Sequence, residues 1–160
     1  MAESEEKKRK VMLSIDESEC SHYSVEWALD NLRDTLSNSH LVIYTVQSFA
    51  DYAYIYASTH GVAAPELIRS IQENKKRDSQ ALLEKAKDIC SKHGIPVETT
   101  IMEVGDPKDE ICKAVEKLDI QLLILGSHGR GAIQRAFLGS VSNYCVHNAK
   151  CPVLVVRKQD

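Results

Sequence analysis

Residues 121–131 read Gln121-Leu122-Leu123-Ile124-Leu125-Gly126-Ser127-His128-Gly129-Arg130-Gly131. Four aliphatic residues in a row, entered from a polar residue and left through a glycine-rich turn, make a strand covered on both faces. Such strands belong to parallel sheets flanked by helices, so the rest of the chain should alternate strands with helical crossovers. It does. Val11–Ile15 and Leu41–Val46 are further buried-strand runs, Val97–Met102 is a more polar one, and Pro152–Val156 is the last. Between them lie helical patterns. The first, capped by Ser18 or Ser21, carries Val25, Ala28, Leu29, Leu32 and Leu36 at three- and four-residue spacing. The second is a long segment from Pro65 that Gly94 and Pro96 stop. The third opens with Asp106 as N-cap, Pro107 at the first helical position and Asp109 placed to reach back, and the last begins at Ser140.

Five strands and four helices account for nearly the whole chain. With the most apolar strands inside and right-handed crossovers throughout, the order 3-2-1-4-5 satisfies the pattern, with helices on both faces. Residues 1–8 read as a flexible N-terminus and 9–158 as the domain. That order puts the switch point between the first and fourth strands, where a ligand crevice opens at the strand carboxyl ends.

Composition bounds the function. The 160 residues carry 20 Lys and Arg against 23 Asp and Glu, a net charge of −3, which argues against a general nucleic-acid coat. No apolar run is long enough for a membrane span, and the acidic start from Met1 to Glu6 does not read as a secretory signal. Five cysteines without a CxxC pair fit reduced thiols inside a cell.

Two loops meet at the switch point. Asp16 follows the first strand, and Gly126, Gly129 and Gly131 follow the fourth, with Gly139 and Ser140 eight or nine residues further on. Glycines at that density permit positive φ and a nest of backbone N–H groups around phosphate oxygens. The Ser140 helix adds its free N–H groups, and Arg130 a fork of donors. Taken singly, a Gly-rich turn is also a tight connection and Asp16 a helix cap; taken together, they favour a ligand site. No Gly-Lys-Ser/Thr follows, so this is not a Walker A loop, nor is it GxGxxG.

Gly126-x2-Gly129-x9-Gly139-Ser140 resembles, spacing for spacing, the nucleotide-binding motif of the universal stress protein family. Asp16 after the first strand, Gly105-Asp106-Pro107 after the third and Cys151-Pro152-Val153 entering the last are similar too. The length of the second connection resembles plant single-domain members. The resemblance implies an adenine nucleotide alpha hydrolase-like fold that binds ATP or AMP, with any Mg²⁺ held by the phosphates. It implies that Asp16 meets the ribose or adenine and that Ile15, Val46 and Val104 line the base. Gly126, Gly129, Arg130, Gly139 and Ser140 would hold the phosphates, with Val141 and Ser142 adding helix-start contacts. It further implies a stress-response sensor, adaptor or chaperone-like module that is cytoplasmic, with the nucleus also open to it. Hydrolysis would be slow or absent, since no water-positioning acid stands near the Gly loop. The alternatives are a slow ATPase and a dimeric scaffold with a vestigial pocket. A homodimer through the last strand follows from the resemblance and from the apolar edge Val153–Val156. Its working partner would be a client protein.

Other residues read less sharply. His128 is a solvent-facing turn residue or, as the sharper alternative, a general base. The six histidines show no HxH or HExxH spacing. Cys145 and Cys151 read as buried thiols. Lys7–Lys10 is a solvated lead-in, and the Tyr-rich run 51–58 is either a packed loop or a lid.

Overall fold

The computed structural model describes residues 7–48, 65–128 and 138–159. One parallel sheet runs through them, formed by β1 (Arg9–Ser14), β2 (Ser39–Ser48), β3 (Thr99–Gly105), β4 (Leu122–Gly126) and β5 (Val153–Val156) in the order β3-β2-β1-β4-β5. This is the order expected from the apolarity of the strands. Alternation along each strand divides the core in two. Val11, Leu13, Leu41, Ile43 and Ile124 face one helical layer, while Met12, Val42, Tyr44, Leu123 and Leu125 face the other. Each inner strand is therefore apolar on both faces, which explains its unbroken aliphatic run.

The first layer holds α1 (Glu19–Asn31), α2 (Arg33–Ser37) and α3 (Pro65–Lys92). Ser18 caps α1, its hydroxyl accepting the Ser21 N–H at 3.1 Å. The sequence reading carried this helix on through Leu36, but it breaks at Leu32, whose φ of −118° and ψ of 27° leave the helical region. The break lets α2 set Leu36 fully into the core beside Leu41. The chain thus has five described helices where four were expected.

Helix α3 has 28 residues, about 42 Å at 1.5 Å per residue. Its buried residues, Leu83, Ala86 and Cys90, all lie in its last ten. Gly94 ends the segment at φ +72°, a left-handed turn that brings the Ile95 N–H to the Cys90 carbonyl at 2.9 Å.

The second layer is α4 (Pro107–Lys117) and α5 (Ser140–Asn148). Asp106 occupies the N-cap of α4, as its sequence suggests, but its carboxylate makes no capping bond. Nor is the Asp109 side chain hydrogen-bonded back to the cap among the described residues; it lies near Tyr144 of α5, whose phenol burial and this charge raise above its ordinary range. The Tyr44 hydroxyl donates to the Glu110 carbonyl at 3.1 Å, and burial raises its phenol well above the usual range. Both sheet edges are open among the described residues. At β5, Val153, Leu154 and Val155 are apolar yet only half-buried.

All five thiols are free, with Cys90 and Cys145 buried. Burial pushes the Cys90 thiol up to about 11 and, with Cys112 beside it, the Cys145 thiol up to about 12. Thiols held this firmly in the neutral form are poor nucleophiles, consistent with a packing role.

Candidate functional site

A cleft of about 550 Å³ opens at the carboxyl ends of β1, β2 and β4, the switch point of the sheet. Its middle is Asp16. The Asp16 carboxylate accepts the Ser18 N–H through Oδ1 at 2.8 Å, and the Asp16 N–H donates to Ser21 Oγ, also at 2.8 Å. These two bonds fix the carboxylate at the mouth of the crevice and leave Oδ2 without a partner among the described residues.

At one end the cleft meets the first turn of α5. Gly139 is the N-cap and supplies no side-chain bond, so the first-turn N–H groups are uncapped where Ser140, Val141 and Ser142 line the cleft. Such an end favours an anion. Ser127 stitches this end together: its carbonyl accepts the Gly139 N–H and the Ser142 hydroxyl, each at 2.7 Å. The Ser142 side chain, 2 % exposed, is thus committed to holding the helix start, and what it offers the cleft is its backbone.

The other end is formed by β2. Strand β1 follows β2 only as far as the bond from Ile15 N–H to the Tyr44 carbonyl, 2.8 Å long, and β2 continues to Ser48. Strand alternation turns the Val46 N–H and C=O to the same side as the Tyr44 carbonyl. Val46 therefore presents a donor and an acceptor side by side, past the end of its neighbour. The Ile15 carbonyl is taken by the Thr45 hydroxyl at 2.8 Å instead. Ile15, Val46, Leu125 and Ile111 supply apolar surface to the cleft.

Most of the sequence-predicted residues come together here. Ile15, Asp16, Val46, Gly126, Ser140, Val141 and Ser142 all line the cleft. Val104 does not. It lies opposite Gln47 in the sheet register, is 41 % exposed, and lines a separate groove with Met102 and the α3 residues Arg69 and Lys76. Gly129, Arg130, Gly131 and the Tyr-rich run 51–58 lie outside the described residues.

The two described motif glycines, Gly126 and Gly139, need a different explanation from positive φ. Neither Gly126 nor Gly139 has positive φ. A Cβ on Gly126 would stand 2.8 Å from the Cys20 carbonyl oxygen, and one on Gly139 would stand 3.0 Å from the Ser127 oxygen. The first lets α1 pack against the end of β4, and the second lets the start of α5 close against Ser127. His128 also differs from its solvent-facing reading. It lines the cleft and its Nδ1 is buried without a hydrogen-bond partner among the described residues.

Sequence reasoning missed a whole wall. Lys75, Ser79 and Leu82 of α3 and Asp106 and Pro107 of α4 also line the cleft. Of these, only Asp106 and Pro107 carried a signal, in the Gly105-Asp106-Pro107 run after the third strand and its N-cap pattern. Among the described residues no three His, Cys, Asp or Glu side chains stand together as a metal site, and no described helix is long and apolar enough to cross a membrane.

The family model for the universal stress protein family matches residues 8–157. The chain belongs to that family. A universal stress protein A-like protein of Arabidopsis thaliana is 32% identical over 93% of this chain and 90% of its own. A universal stress protein family protein from Arabidopsis thaliana, At3g01520, solved with AMP bound, is 26% identical and superposes with a TM-score of 0.67 over 94% of this chain and 92% of its own. The solved protein MJ0577 shares the fold at a TM-score of 0.78, with 22% identity over 96% of this chain and 99% of its own. The sheet order and the two helical layers are those of the adenine nucleotide alpha hydrolase-like fold.

Proposed function

We propose that this universal stress protein binds an adenine mononucleotide, AMP or ATP, in the switch-point cleft. What carries the reading is a matched pair of backbone features at opposite ends of one cavity, the open edge at Val46 and the uncapped start of α5. A donor beside an acceptor suits the N1 acceptor and N6 amino group of adenine. Guanine presents the opposite pattern there, with an N1–H and an O6. The uncapped helix start suits phosphate, and Asp16 between them suits the ribose hydroxyls. The AMP-bound relative supports the same choice.

The protein then acts as a nucleotide-dependent sensor or adaptor for a client protein, not as an efficient hydrolase. Among the described residues the carboxylates of the cleft are Asp16, Glu17 and Asp106, and in this orientation Asp16 serves the sugar and Asp106 flanks the base. Any Mg²⁺ accompanying ATP would rest on the phosphates. The half-buried apolar edge at β5 supports a homodimer through that strand. We further propose a cytoplasmic location, with the nucleus also open to the protein.

Mass identification of nucleotide carried through purification, followed by calorimetric titration with AMP, tests the proposal. Saturable binding near one AMP per chain is expected. No heat and no co-purifying nucleotide at millimolar ligand would overturn it.

A further inference from the structure

Gln47 is an amide where the strand pattern would take an aliphatic residue. It is 7 % exposed, at the end of β2 beside Val46. Its Nε2 donates to the Lys75 carbonyl and to Ser79 Oγ, the latter at 2.8 Å. Both partners belong to α3, whose apolar anchorage lies further along at Leu83, Ala86 and Cys90. Ahead of Leu83 the helix is exposed or half-buried, and Gln47 binds that stretch to the sheet. The tie falls where α3 forms a wall of the cleft, since Lys75, Ser79 and Leu82 stand on successive turns facing the cavity.

An amide used this way carries a cost that a leucine would not. The two α3 acceptors offset the desolvation of its Nε2. The arrangement fixes the separation between the β2 edge and α3. The other parts of the cleft rest on different elements: Asp16 on the β1–α1 turn, and Ser140–Ser142 on α5.

Building on the nucleotide reading, we propose that Gln47 is a positioning residue for the base. By holding α3 against the end of β2, it sets the width of the base end and so the share of affinity that the base contributes. Sugar and phosphate binding do not depend on it.

The test compares two probes on the full chain, AMP and ribose 5-phosphate, by NMR titration of the wild type, Gln47→Glu and Ser79→Ala. Gln47→Glu keeps the shape but turns an oxygen towards the Lys75 carbonyl. AMP affinity should fall about tenfold, while ribose 5-phosphate should stay within about twofold. Ser79→Ala, which keeps the carbonyl bond, should weaken AMP about threefold with the same selectivity. Should Gln47→Glu fail the circular-dichroism check for folding, Ser79→Ala decides alone. Parallel loss of both probes, or no change in AMP affinity, overturns the assignment while leaving nucleotide binding intact. A wild type that ignores AMP removes the nucleotide reading and this inference with it.

Discussion

Replacing Gly126 with alanine would place a Cβ 2.8 Å from the Cys20 carbonyl oxygen, 2.9 Å from its carbon and 3.0 Å from Ser21 N. All three are backbone atoms of the first turn of α1, so no side chain can swing aside. That turn is held by the Ser18 cap and by the bond from Asp16 N–H to Ser21 Oγ. Restoring an ordinary contact near 3.4 Å requires α1 to retreat by about 0.6 Å. Overpacking of this kind costs about 1–3 kcal/mol. For a chain of this size that lowers the melting temperature by about 2–12 °C. Because Asp16 and Ser21 move with the turn, AMP affinity should also fall. Differential scanning calorimetry with a parallel AMP titration reads both. An alanine variant that melts with the wild type and binds AMP normally would refute the close-packing account of this glycine.

Gly94 makes the contrast. Its φ is +72° but nothing lies within 4 Å of its Cβ position, so Gly94→Ala should cost about 1–2 kcal/mol from backbone conformation alone and leave AMP affinity unchanged. The buried thiols predict an alkaline limit. Cys90 and Cys145 would ionise near 9 when unfolded but not until about 11 and about 12 when folded, so the unfolded chain loses protons first. Stability should therefore be intact below pH 9 and decline from there towards pH 11, and Cys90→Ala should flatten that decline in denaturant titrations run across the range. Val155→Glu, which puts a charge on the half-buried β5 edge, should shift a homodimer towards monomer in sedimentation velocity, with circular dichroism unchanged; a wild type that sediments as a monomer at micromolar concentration would remove the dimer.

The sheet was legible in the sequence because its inner strands are buried on both sides, which forces an unbroken aliphatic run at Leu122–Leu125 and again at Leu41–Ile43. The glycine spacing marked the loop after β4 and the start of α5 as neighbours, and at Gly126 and Gly139 the structure gives close packing, not positive φ, as the reason for glycine. The α3 wall was not, because the Gln47 contacts to Lys75 and Ser79 join residues 28 and 32 apart, and no local pattern encodes such a meeting. Val104 pairs with Gln47, which borders both the cleft and the neighbouring groove, and its own side chain lines that groove beside Met102. The break at Leu32 is equally a tertiary effect, since Leu36 keeps its helical spacing and only the burial beside Leu41 shows why the helix must turn.

Backbone amide shifts of the full chain during titration with AMP test the nucleotide cleft most directly, since the account rests on backbone groups at both its ends. The largest saturable changes should fall at Ser140, Val141 and Ser142 together with Val46, and a smaller set at Asp16 and Ser18. Val104, in its separate groove, should not respond directly. Shifts confined to that groove, or none up to millimolar AMP, would contradict the account.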